Sequence, residues 1–245
     1  MIKRTSIFLS VALSGLLMSA CAQTKNSKSS SNIPSLQQTF KSAFDIGTAL
    51  NAEQIQEKEP FAKAMVPQQF GAVTPENIMK AEVIHPEWNR YDFTLADQLV
   101  SYAQKNHLKV NAHTLIWHSQ LPNFVRGMQS ADSVRRYLED HITTVASRYK
   151  DKVYSWDVVN EALEEDGTLR KSIFLQKLGE DYIVDAFRIA QKAAPDVKLY
   201  YNDYNIEQPK KRAGAIAIIK KIQAAGVRID RQHSQVQFCE HYFYS

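Results

Sequence analysis

The stretch "VYSWDVVNE", Val153 to Glu161, decides how the chain folds. Apolar and β-branched residues fill most of its positions, so a strand here needs cover on both faces. Such strands belong to parallel sheets with helices packed on each side. The run ends in a carboxamide and a carboxylate, Asn160 and Glu161, and Glu164 and Glu165 follow closely. Neighbouring side chains on a regular strand point to opposite faces. Both members of the Asn–Glu pair therefore reach one cleft only if the pleat breaks at this point.

Working outward, strands and helices alternate. Strands are expected at Phe44–Leu50, Phe70–Glu76, Leu108–Trp117 and Lys198–Asn205. Helices are expected near Ala52–Ala64 and over Thr94–His107, Ser130–Tyr149, Asp181–Pro195 and Pro209–Gly226. The third of these begins with Ser and Asp, which cap free N–H groups, and the last enters on Pro209 and stops on Gly226. Strand ends fall near 76, 117, 161 and 205, a steady repeat that favours a (β/α)8 barrel of the TIM type over an open sheet. Five βα units are legible. A sixth strand after Asp230 is doubtful, because "RQHSQVQFCEHYFYS" lacks apolar alternation. The barrel is therefore expected to be incomplete within these residues.

The bulk properties set the frame. Lys3 and Arg4, an apolar run from Ile7 to Met18, and small residues before Cys21 predict a lipoprotein signal over 1–20, with Cys21 lipidated. The alternative is an ordinary secretory signal; either way the protein is exported, lipid-anchored in the cell envelope or secreted. Residues 21–35, rich in Ser and Lys, read as a flexible tether, and 36–245 as the barrel domain. The only other cysteine is Cys239, so a lipidated Cys21 leaves no intrachain disulfide. Past the signal, 28 basic side chains stand against 26 acidic ones, which argues against a nucleic-acid partner.

In a βα barrel the reactive groups gather at the C-terminal strand ends. Those ends hold Glu76-Asn77, His113 to His118, Asn160-Glu161 and Asn202 to Asn205. Planar, directional acceptors and donors beside the Trp117 indole suit carbohydrate. Glycoside hydrolysis needs two carboxyl groups flanking the scissile bond, one of them protonated. A glutamate at a strand end is, taken alone, more often a solvated loop residue. His113 and His118 do not make a metal pair, since five positions apart on a strand they face opposite ways.

The segment "AVTPENIMKAEVIHPEWNRYDFTLADQLVSYAQKNHLKVNAHTLIWHSQLPNFV", together with "WDVVNEAL" and "LYYNDYN", resembles the family 10 glycoside hydrolases, the retaining endo-1,4-β-xylanases. The likeness runs from about Phe40 to Asp230. The resemblance implies that Glu161 is the general acid/base and that Asn160 holds the sugar 2-hydroxyl. It implies that Glu76, Asn77 and Lys80 bind the next sugar on the non-reducing side. It places His113, Trp117 and Gln120 at the central subsite and Tyr204 toward the leaving group. Xylan or xylo-oligosaccharide is the implied partner, with no cofactor, no metal and a monomeric protein.

The family's nucleophile lies on a seventh strand in a stretch like "ITELD", which is absent here. Glu240 and Glu207 do not fit that role. The expectation is a truncated or frameshifted reading after about residue 230, poorly soluble and inactive as written. Two alternatives stay open: a non-catalytic xylan-binding surface lipoprotein, and a related barrel glycosidase acting on cellulose.

Overall fold

The computed structural model describes residues 33–235. The expected signal, Cys21, the tether as far as residue 32, Cys239 and Glu240 lie outside the described residues. The elements run α1 (Leu36–Phe40), β1 (Gly47–Leu50), α2 (Ala52–Ile55), α3 (Pro60–Gln69), β2 (Ala72–Pro75), α4 (Ala81–Ile84), α5 (Thr94–Lys105), β3 (Lys109–Trp117), α6 (Asn123–Arg126), α7 (Ala131–Tyr149), β4 (Ser155–Asn160), α8 (Ile173–Leu178), α9 (Tyr182–Ala193), β5 (Lys198–Tyr204), α10 (Pro209–Ala224) and β6 (Arg231–Gln235). The strands form one sheet in chain order, and every neighbouring pair is parallel.

Every residue of β4 is buried, as its composition requires. Cover comes from α7, whose Val134, Tyr137, Leu138, His141, Ile142, Val145 and Tyr149 recur at three- and four-residue steps and are buried. This helix packs on β3 and on α9, and α9 lies against β4. Trp156, Phe174 and Phe187 are fully buried with them. Burying a large apolar side chain of this kind contributes about 1.5–3 kcal/mol. Ser130 caps α7 as expected, its Oγ accepting the Ser133 N–H at 3.1 Å.

Several expectations are corrected. The first strand begins at Gly47; Phe44 is exposed and stacks on Phe40. The helix expected near Ala52–Ala64 is two helices, α2 and α3, because Glu57 takes a left-handed φ of 57° and Pro60 starts a new first turn. Ser35, placed in the tether by composition, is the N-cap of α1. The doubtful sixth strand is present: β6 pairs with β5 over five residues, from Tyr200↔Arg231 to Tyr204↔Gln235. Parallel pairing is made by the backbone, and Asp230 prepares it by accepting the Leu199 N–H at 2.8 Å and returning its own N–H to Leu199 at 2.9 Å.

The register sets out two tiers of side chains. Trp117, Asn160 and Asn202 are mutual partners at the strand ends, and His113, Asp157 and Tyr200 form the tier beneath. A register shift in β3 between His113 and Ile116 separates the two.

Candidate active site

The pleat does break at the end of β4. Glu161 has a left-handed φ of 53°, a conformation that costs a residue with a Cβ about 1–3 kcal/mol. Main-chain contacts hold it there. Its N–H donates to the Asn202 carbonyl at 2.8 Å, and its carbonyl accepts Arg170 Nε at 3.0 Å. The result is that consecutive residues serve one tier. Asn160 Oδ1 accepts Asn202 Nδ2 at 2.7 Å, while Glu161 Oε2 accepts the Trp117 indole Nε1 at 2.8 Å. Asn160 Nδ2 and Asn202 Oδ1 are buried with no protein partner, leaving one donor and one acceptor free.

The segment after β2 meets this centre from the other side. Lys80 Nζ donates to Asn77 Oδ1 at 2.9 Å and stands 4.6 Å from the centre of the Trp117 ring. Gln120 Nε2 reaches the same Asn77 oxygen at 3.3 Å. Burial lowers the pKa of the Lys80 ammonium, and the negative fields of Glu161, Glu76 and Glu82 oppose that shift. Glu76 and Asn77 are exposed.

Beneath, His113 Nδ1 donates to Asp157 Oδ2 at 2.9 Å, with both side chains buried. A carboxylate partner fixes a proton on Nδ1, the nitrogen that faces it. Asn111 Nδ2 reaches the same Asp157 oxygen at 3.2 Å, and Thr114 Oγ1 donates to the Asp157 carbonyl at 2.8 Å.

His118 lies just past β3 and packs with Glu161, Arg170 and Tyr182 around a crevice too tight to admit a water molecule. Burial and the Arg170 charge push its pKa down to about 4, against a hydrogen bond to the Glu161 main chain, so its ring is neutral in neutral solution. Tyr204 is half-buried and held twice: its hydroxyl accepts Arg170 Nη2 at 3.0 Å, and Lys211 Nζ sits 3.3 Å from its ring centre. Lys211 is fully buried and reaches Asp203 at 3.1 Å and Glu165 at 3.2 Å.

Asn77, Lys80, Trp117, Gln120, Asn160 and Glu161 thus form one connected group. His113 sits in the tier below. Tyr204 joins through Arg170, and Glu76 joins only through the field it exerts on Lys80. Sequence reasoning did not single out Asp157, Arg170 or Lys211, and it named Asn202 only as part of the polar end of its strand. Asp157 did carry a signal, a lone charge inside a mostly apolar run. Arg170 and Lys211 carried none, since a basic residue in a loop or early in a helix reads as solvated.

The sequence model of glycosyl hydrolase family 10 matches residues 35–243. The chain belongs to this family. The match passes Asp230, where the likeness was expected to end. Endo-1,4-beta-xylanase A of Xylanibacter ruminicola is 41% identical over 204 residues, 81% of this chain and 55% of that protein. Beta-1,4-xylanase of Dictyoglomus thermophilum is 44% identical over 199 residues, covering 80% and 55%. The crystal structure of xylanase 10B from Thermotoga petrophila in complex with xylobiose superposes with a TM-score of 0.78 at 38% identity, covering 82% of this chain and 63% of the other. The chain thus spans a little over half the length of these two curated relatives. The family's fold, a parallel α/β barrel, accounts for the observed order of strands, six of them described here.

Proposed function

We propose that this chain carries the acid/base side of a retaining endo-1,4-β-xylanase. The observation that supports it most is the Glu161 carboxylate, set by a left-handed turn beside Asn160 and hydrogen-bonded to Trp117. Glu161 protonates the departing glycosidic oxygen while a second carboxylate attacks the anomeric carbon. Glu161 then takes a proton from the water that releases the sugar from the resulting glycosyl ester. Retaining enzymes place the two carboxyl groups about 5–5.5 Å apart. Asn160 Nδ2 is the free buried donor for the sugar 2-hydroxyl. Glu76, Asn77 and Lys80 bind the neighbouring sugar, His113, Trp117 and Gln120 line the central subsite, and Tyr204 serves the leaving-group side.

We assign the second carboxylate to no residue of β1–β6 or their loops. Asp157 is committed to His113, Asp203 and Glu165 to Lys211, and Glu164 to Arg170 at 3.1 Å. On this reading the 245 residues by themselves bind xylo-oligosaccharide without hydrolysing it. In a full-length enzyme containing them, Glu161→Gln lowers xylan hydrolysis by about 10²–10⁴-fold. Undiminished hydrolysis ends the proposal, and activity on cellulose alone ends the substrate assignment. Export with a lipid on Cys21 is part of the same reading; it predicts palmitate labelling that Cys21→Ser abolishes.

A further inference from the structure

We propose that Arg170 is a positioning residue, which holds the Glu161 main chain in its left-handed turn and fastens it to Tyr204. Its relevance to catalysis rests on Glu161 being the proton donor. Arg170 lies nine residues beyond Glu161, at the close of the loop that leaves β4, and its own N–H returns to the Ala162 carbonyl at 2.7 Å. The guanidinium spends its fork on this loop. Nε donates to the Glu161 carbonyl at 3.0 Å, and Nη2 donates to the Leu163 carbonyl at 2.8 Å and to the Tyr204 hydroxyl at 3.0 Å. Nη1 faces Glu164 at 3.1 Å.

Only a planar fork satisfies two carbonyls and a phenol from one point; an ammonium on a flexible stem does not. The Glu161 carbonyl turns aside from the strand and takes no part in the sheet ladder; Arg170 Nε is its donor from within the loop, beside the His118 ring from the end of β3. Without that donor the backbone relaxes toward an extended conformation. The side chain at 161 then swings to the other face, away from Trp117. The half-buried phenol of Tyr204, tied to the same guanidinium, moves with it. Proton donor and leaving-group wall are thereby held as one unit.

The Trp117 indole proton reports this geometry directly, without any turnover. Hydrogen exchange at the indole Nε1–H groups is followed by NMR in the full 245-residue chain and its Arg170→Lys and Arg170→Met variants. Trp156, fully buried in the core, serves as the internal reference for opening of the whole domain. The expected result is exchange at Trp117 faster by about tenfold in both variants with Trp156 unchanged. Equal acceleration at both indoles, or loss of the folded spectrum even in Arg170→Lys, assigns Arg170 a purely structural role and overturns the proposal. Unchanged exchange at Trp117 overturns it as well. The acid role of Glu161 is judged separately by Glu161→Gln, so either claim can fall while the other stands.

Discussion

The Trp117 indole donates to the Glu161 carboxylate across the ends of β3 and β4, at 2.8 Å. Trp117→Phe keeps the ring and removes the donor. A buried acceptor left without its partner costs about 1–3 kcal/mol. The midpoint of urea unfolding should fall accordingly, and the affinity for xylotriose, read by titration calorimetry, should weaken.

Lys211 is expected to be the most sensitive charge in the described residues. Lys211→Met leaves Asp203, itself fully buried, without its cation. Breaking one side of a buried pair costs about 3–5 kcal/mol. The double variant Lys211→Met/Asp203→Asn should recover much of that loss in the same denaturation experiment, which a simple packing defect would not allow.

Acid should weaken the fold through a buried histidine pair that the site does not use. His85 and His141 are both fully buried and meet Nδ1 to Nδ1 at 3.2 Å, with His85 Nε2 against the Trp88 carbonyl at 2.9 Å. One proton fits between the two rings, so they cannot both be charged. Burial, reinforced by His85, pushes the His141 pKa down to about 3. The unfolded chain binds this proton below about pH 6.5 and the folded one does not until about pH 3. Stability is therefore complete above pH 6.5 and falls between the two values by up to about 1.4 kcal/mol per pH unit. Unfolding free energies across pH 4–7 should show this slope in the native protein and a shallower one in His141→Gln.

Two glycines let the acid's loop meet α10. A Cβ on Gly214 would stand 2.4 Å from the Gly167 carbonyl, and one on Gly167 would stand 2.2 Å from the Lys210 carbonyl. Gly214→Ala should destabilise by about 1–3 kcal/mol, as overpacking against backbone does. Gly71→Ala, with nothing nearer than 3.7 Å, should stay within about 0.5 kcal/mol in thermal melts.

What was legible followed from side-chain pattern. The apolar run ending in Asn160-Glu161 announced both the parallel sheet and the reactive end, and the three-and-four spacing of α7 announced its buried face. The left-handed turn at Glu161 was demanded by the adjacency of two useful side chains, although no glycine marked it. The break between α2 and α3 was visible at Pro60 and outweighed by the helical pattern on either side of it. Strand β6 was hidden because its pairing is a property of the backbone, and Arg231-Gln-His-Ser-Gln carries no alternation. Arg170 was hidden for another reason: what it does depends on carbonyls, which every sequence has.

Beyond Glu161, the loop after β4 is moored to the unit that follows it, through Tyr204 on β5 and through Lys211 and Gly214 on α10. The fourth and fifth βα units are therefore mechanically coupled. Transplanting β4 and its loop alone into another barrel would deliver a glutamate without its bearings, whereas exchanging residues 153–226 as a block would carry the turn with Arg170 and Tyr204 and leave the Trp117 and His118 contacts to the host.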